Sequence, residues 1–249
     1  MHAAALKGGV YLFSRMVTDY WFPRNATSVA GEVGSYQIVV DDTLPADRSL
    51  ILLEPVGRSG ILSATSVTIE RLGLAPQTKI DSRALARSLA TAQMKLHGAD
   101  HLFYLPVEAQ SAVQSERVAS VTRRLQDTDA DAFAVLSAEA SEEDLDQAYV
   151  EIDHWLVFGT FVDDRLAAVA SMYPWRDTHL ADLGVLTLPA YRGRGFAKAT
   201  VRAISAAASK RGYEPQYRCQ LDNVTSAALA HSAGFERFGT WNVIDHGAD

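Results

Sequence analysis

The chain has 249 residues, 48% hydrophobic and 21% charged, a balance typical of globular proteins and long enough for two domains. Its formal net charge of −7 sets the surface as a whole against nucleic acid and anionic membranes as partners. The single cysteine, Cys219, excludes an intrachain disulfide and any cysteine-based zinc site, and fits a reducing, cytoplasmic setting.

The opening MHAAALKGGVYLFSRM lacks the apolar segment and small-residue cleavage site of a signal peptide, and no apolar run reaches bilayer-spanning length. The sequon Asn25-Ala26-Thr27 is therefore expected to go unused. SYQIVVDD and RSLILLEPV read as strands, aliphatic runs bounded by turn residues. SRALARSLATAQMKLHG reads as a helix with Leu85, Leu89 and Leu96 near one face and Gly98 at its end. HLFYLP reads as a short strand closed by Pro106. Residues 106–117, PVEAQSAVQSER, are polar and without a clean period, which places a boundary between domains of residues 1–112 and 113–249.

Beyond that boundary RVASVTRRL is a strand candidate, and TDADAFAVLSAEASEEDLDQAYVE holds two short helices, the second capped by Ser141 with acids in its first turn. WLVFGTFVDDRLAAVASMYPW reads as a hairpin turning at Asp163-Asp164. LADLGVLTLP is a strand stopped by Pro189. The run from Phe196 to Lys210 is a helix with Ala197, Val201, Ile204 and Ala208 on one stripe, ended by Gly212. PQYRCQL is a strand, VTSAALAHSA a helix ended by Gly234, and FERFGTWNVI the last strand. The alternation predicts an α/β or α+β fold around a mixed sheet.

Two glycines and two arginines fall within PAYRGRGFAKA, between a strand and a helix. The first amides of a helix lack intrahelical partners and carry the positive end of its dipole, so such a turn suits a phosphate. Glycines at 193 and 195 permit left-handed backbone and leave room for the anion, while Arg192 and Arg194 add charge. GRGFAKAT lacks the Gly-Lys-Ser/Thr of a Walker A loop, and Lys198 stands where the dinucleotide fingerprint needs its third glycine.

Arg192-x-x-Gly195-x-Ala197 resembles the pyrophosphate loop of the GNAT superfamily of acyl-CoA-dependent N-acetyltransferases, written Q/R-x-x-G-x-G/A. Asn223-x-x-Ser226-x-x-Leu229 followed by Gly234-Phe235 resembles that family's later helix and the Gly-Phe after it. The resemblance covers residues 117–245 and implies a mixed central sheet flanked by helices, here preceded by a smaller α/β domain. It also implies acetyl-CoA as cosubstrate, its pantetheine arm along Val185, Leu186 and Thr187. Arg192, Gly193, Arg194, Gly195, Phe196, Ala197 and Lys198 would wrap the pyrophosphate, Asn223 would reach the pantetheine or phosphate end, and Ser226 of the later helix would join the cofactor site. For Asn223 a helix N-cap is the competing role.

The implied reaction is attack of a primary amine of a small molecule on the thioester. The amine must shed a proton, for which Asp182 is the first candidate and Glu151, Asp153 and His154 are others. The backbone N–H of Leu186 is the expected oxyanion donor. Family members place a tyrosine after the leucine of the late helix to protonate the thiolate, and here that residue is Ala230. His231 is adjacent, but one residue turns a helical side chain by about 100°. His97 and His101 are four apart without a third ligand, so no metal is expected. The competing function is a non-catalytic acyl-CoA-binding or sensing module, with the N-terminal part for interaction. That part is open to three readings: substrate recognition, a homodimer surface, or a degenerate copy of the same fold.

Overall fold

A computed structural model describes residues 6–7, 10–22 and 32–245. Asn25-Ala26-Thr27 and part of the opening segment lie outside the described residues. The N-terminal half begins with β1 (Leu6–Lys7), β2 (Val10–Tyr11) and α1 (Arg15–Trp21), whose start Ser14 caps through its side chain. There follow β3 (Ser35–Val40), β4 (Leu50–Pro55), β5 (Gly60–Ala64), α2 (Ser66–Arg71) and β6 (Lys79–Asp81). Then come α3 (Ser82–Thr91), β7 (Lys95–Leu96), β8 (Asp100–Tyr104) and α4 (Val107–Ser115). Two expectations change here. The helix over 82–98 stops at Thr91, because Gln93 turns left-handed at φ 53° and the chain re-enters the sheet as β7. The polar stretch 106–117 is helical: Pro106 starts α4, Val113 is buried, and α4 packs on a later helix.

The C-terminal half contains β9 (Thr122–Arg124), α5 (Ala130–Glu139), α6 (Glu142–Ala148), β10 (Leu156–Val162), β11 (Arg165–Pro174) and β12 (Leu180–Thr187). It closes with α7 (Phe196–Ser209), β13 (Glu214–Gln220), α8 (Val224–Ala233) and β14 (Glu236–Asp245). Ser141 caps α6 as expected, its hydroxyl accepting from the Asp144 amide. Asp163 and Asp164, both at positive φ, turn β10 into β11.

Among the described residues twelve strands join in one mixed sheet, ordered β6-β3-β5-β4-β14-β8-β13-β12-β11-β10-β9, with β7 added beside β14. β8 comes from the N-terminal half yet lies between β13 and β14, pairing Leu102 with Arg218 on one side and Gly239 on the other. The helices α4, α7 and α8 cover one face over Leu105, Val201, Ile204 and Phe235, while α5 and α6 cover the other over Leu136, Val169 and Leu186. An aromatic cluster of Phe13, Trp21, Tyr104, Trp175, Phe238 and Trp241 joins the halves. No helix among the described residues is long and apolar enough to cross a membrane.

Candidate functional site

The site is made where two neighbouring strands part. β12 and β13 run parallel with paired positions from Leu180 with Glu214 to Leu183 with Tyr217, and there the register ends. From residue 218 onward β13 remains joined to β8, while β12 stays on β11 through Thr187. The gap opens into a cleft of ≈ 510 Å³. Its walls are Val185, Leu186 and Thr187 of β12, Tyr217 of β13, and Asn223, Ser226 and Leu229 around α8; its far end is the turn from Tyr191 to Lys198.

That turn combines left-handed backbone with an uncapped helix start. Gly193 and Gly195 are left-handed at φ 72° and 83°, and a β-carbon at either would meet nothing within 4 Å. Gly195 is the N-cap of α7 and brings no capping side chain, and the first amide seen to bond back is that of Ala199, to the Gly195 carbonyl at 3.1 Å. The amides of Phe196, Ala197 and Lys198 therefore have no intrahelical acceptor. Arg192 lies on the cleft wall, donating to the Thr187 carbonyl at 3.1 Å and to Asp144 at 2.8 Å. Arg194 does not itself line the cleft, but its guanidinium lies 4.9 Å from the Phe196 ring and 5.8 Å from that of Tyr191, both of which do. The Thr187 hydroxyl is buried in the wall without a hydrogen-bond partner. A free backbone edge, an orphan hydroxyl and an uncapped helix start fit a long polar arm ending in phosphates.

Residues 123–235 match the family described as Acetyltransferase (GNAT) family. The C-terminal half carries the GNAT acetyltransferase fold. No curated protein matches the chain. Similar solved structures include a GNAT-family acetyltransferase from Colwellia psychrerythraea, at 19% identity over 65% of this chain and 62% of that one, with TM-score 0.48. A GCN5-related N-acetyltransferase-like protein from Streptococcus suis shows 17% identity over 83% and 86%, with TM-score 0.45. A GCN5-related N-acetyltransferase from Sphaerobacter thermophilus shows 12% over 66% and 56%, with TM-score 0.44.

Within the GNAT half, the direction of the β12 amides follows from the register. Leu188 donates to Ala167 and Trp175 to Leu180, so even-numbered residues of β12 form hydrogen bonds with β11. The amide of Leu186 accordingly faces Val169 of β11, and the expectation that it is the oxyanion donor fails on this geometry. Val185 and Thr187 face the gap, as the Thr187 carbonyl bonded to Arg192 also shows.

A second space of ≈ 210 Å³ adjoins the cleft, lined by Asp100, Asp146, Tyr149, Tyr173, Asp182 and Arg218 among others. Gln147, Ala148, Asn223 and Ser226 line both spaces and so mark their junction. Asn223 does two things there: its side-chain carbonyl caps α8 through the Ser226 amide at 2.9 Å, and its NH₂ donates to Gln147 at 3.3 Å. Gly184 lets α6 close over the junction, since a β-carbon at 184 would stand 2.1 Å from the Ala148 carbonyl oxygen.

Asp182 lines this second space but is not free to act as a base. Its Oδ1 accepts from Gln216 and Arg218 Nε, both at 2.9 Å, and its Oδ2 from Tyr173 at 3.0 Å and Arg218 at 2.7 Å. Four donors fill the roughly four acceptor positions of a carboxylate. Arg218 also holds Asp100 of β8 at 2.8 Å and lies 4.7 Å from the Trp175 ring centroid. Burial pushes the Asp100 carboxyl above its ordinary range, against the opposing pull of Arg218. His154 bonds Ser171 at 2.8 Å and Glu151 lies 3.7 Å from it; neither they nor Asp153 line the two spaces.

Ala230, on the inner side of α8, is fully buried in the core, and His231 packs its ring 5.2 Å from Phe103, away from both spaces. His97 follows β7 and His101 lies within β8, so the two do not share a helix. Among the described residues no group of three or more His, Cys, Asp or Glu could hold a metal ion. Sequence reasoning passed over Tyr217, Gln147, Asp100 and Arg218. Of these only Arg218, a charge inside an otherwise strand-like PQYRCQL, carried any signal.

Proposed function

We propose that the protein is an acyl-CoA-dependent N-acetyltransferase that moves an acetyl group from acetyl-CoA to a primary amine of a small molecule. The parting of β12 from β13, which opens a cleft onto the Arg192–Lys198 turn, carries this reading. The amides of Val185 and Thr187 bind the arm of the cosubstrate, and those of Phe196 to Lys198 bind its pyrophosphate. The thioester carbonyl meets an amide of the β12 edge, which stabilises the developing oxyanion.

The adjoining space receives the amine. Three aspartates against one arginine in its wall favour an ammonium group on entry. That ammonium must lose its proton before it can attack. With Asp182 saturated, Asp100 is the better acceptor, because burial raises the affinity of its carboxylate for a proton. The N-terminal half thus supplies a group to the acceptor side.

Calorimetry with acetyl-CoA, joined to thiol release over a panel of amines, tests the reading. Binding with turnover on cationic amines supports it; absence of binding overturns it. Binding without turnover on any amine favours the sensing module instead, a reading to which the buried Ala230 lends weight. In Gly195→Glu, steric clash and like charge are expected to abolish acetyl-CoA binding.

A further inference from the structure

Four tyrosines line the two spaces, Tyr149, Tyr173, Tyr191 and Tyr217, and their positions separate them. Tyr191 belongs to the turn at the phosphate end, and Tyr149 and Tyr173 line the acceptor side alone, the Tyr173 hydroxyl already donating to Asp182. Tyr217 is different. It is the last β13 residue in register with β12, so it stands where the strands part. It lines the cofactor cleft, and its hydroxyl shares a 2.9 Å hydrogen bond with Ser226, one of the four residues common to both spaces.

We propose that Tyr217 donates the hydrogen bond that stabilises the departing CoA thiolate, a role Ala230 cannot fill; this rests on the acetyltransferase reading above. The bond to Ser226 leaves the phenol hydrogen available when Ser226 is the donor, since a phenol oxygen can accept while its own hydrogen is given elsewhere. Ser226 is itself held in place, its amide bonded to the Asn223 side chain at the start of α8.

The balance of the step fixes what Tyr217 does. The amine nitrogen forms a bond to the acetyl carbon and gives its surplus proton to the base. The carbon–sulfur bond breaks with its electron pair on sulfur. A CoA thiol, like a cysteine, ionises near pH 8.5, roughly, whereas a phenol ionises near 10. Burial of Tyr217 raises its value further. The phenol therefore keeps its proton and acts as a neutral donor; the thiolate takes a proton from solvent after release.

The test is Tyr217→Phe, which keeps the ring among Phe103 and Phe235 and removes only the hydroxyl. A hydrogen bond to a charged group corresponds to about a 10- to 100-fold loss of kcat. Expected beside it are an unchanged acetyl-CoA Kd by calorimetry, an unchanged Tm, and a loss of the same size from pH 6 to 9, since a neutral donor does not titrate there (about 10 or higher for a phenol). A kcat loss below about tenfold overturns the proposal, as does a loss confined to one end of the pH range. Should Tyr217→Phe fail to fold, Ser226→Ala reads the same device: kcat is expected to fall at least about threefold with Kd unchanged, and undiminished turnover overturns the proposal. A wild-type protein that binds acetyl-CoA without turning over sinks the enzyme reading itself, whereas an active wild type with an equally active Tyr217→Phe sinks only the role of Tyr217.

Discussion

At Asp182 both carboxylate oxygens accept from two donors, and Arg218 supplies two of the four. Removing that charge leaves guanidinium hydrogens facing an amide NH₂ in a nearly closed space. Breaking a buried pair costs about 3–5 kcal/mol, and partial exposure of Arg218 should keep the cost of Asp182→Asn toward the lower figure. We expect a clear fall in Tm, with kcat of the folded fraction within about tenfold of wild type. A larger loss of kcat at unchanged Tm would make Asp182 the base after all. A second carboxylate gives a pH signature. Asp129 is held at about 2 by the side-chain bonds of Arg123, opposed by burial and helped by the Gln126 amide. Its folded value is depressed, so its contribution is complete above the unfolded value of about 3.9 and is lost as pH falls toward 2. Arg123→Ala should flatten acid denaturation in that window while leaving the profile above pH 5 or so unchanged. The sequence could offer Asp182 as a base because a carboxylate on that strand is visible in one dimension. Its saturation depends on Tyr173, Gln216 and Arg218, which other strands supply.

The elements divide by how local their causes are. The β10–β11 hairpin and the α7 helix were legible because turn residues and a 3.6-residue stripe act within a few positions. Three of its four positions, Val201, Ile204 and Ala208, are buried in the core, while Ala197 is only partly buried and lines the cleft. α3 was overrun because Leu96 keeps the apolar spacing, while its actual end at Thr91 depends on β7 pairing with Ile244 and Asp245 far along the chain. α4 was missed because only Val113 of its residues is buried. At α8 the register decides a role. His231 faces Phe103, so His231→Ala should change kcat by less than about tenfold, measured at saturating cosubstrate. At the crossing of α6 over β12, the substitution Gly184→Ala forces a methyl against the Ala148 carbonyl oxygen. Overpacking of this kind costs about 1–3 kcal/mol. Because the strain falls on the junction of the two spaces, we expect it to raise the KM for the amine more than the Kd for acetyl-CoA; an unchanged amine KM would mean that α6 yields without narrowing the passage.

On the scale of the whole molecule, composition foresaw two domains and the sheet runs through both. β8 is the hinge of this fact: Leu102, Phe103 and Tyr104 are each buried to 1% exposure or less, and β8 binds β13 on one edge and β14 on the other. Nothing in HLFYLP announces those partners, since a buried strand reads alike wherever it pairs. The aromatic cluster tightens the link, with Trp21 donating to the Tyr104 hydroxyl at 2.6 Å, Tyr104 donating onward to Gln216, and Gln216 reaching Asp182. A chain starting at Glu116 therefore loses a central strand as well as Asp100, and exposes the edges of both β13 and β14. Exposed apolar edges invite pairing between copies. We expect that fragment to aggregate and to bind no acetyl-CoA. Coexpressed with residues 1–115, it should recover a soluble 1:1 complex that binds, since the missing strand needs no covalent link to take its place. Size-exclusion chromatography and calorimetry on both preparations decide the matter: a soluble, binding-competent fragment from Glu116 alone would show that β8 is dispensable to the acetyltransferase fold.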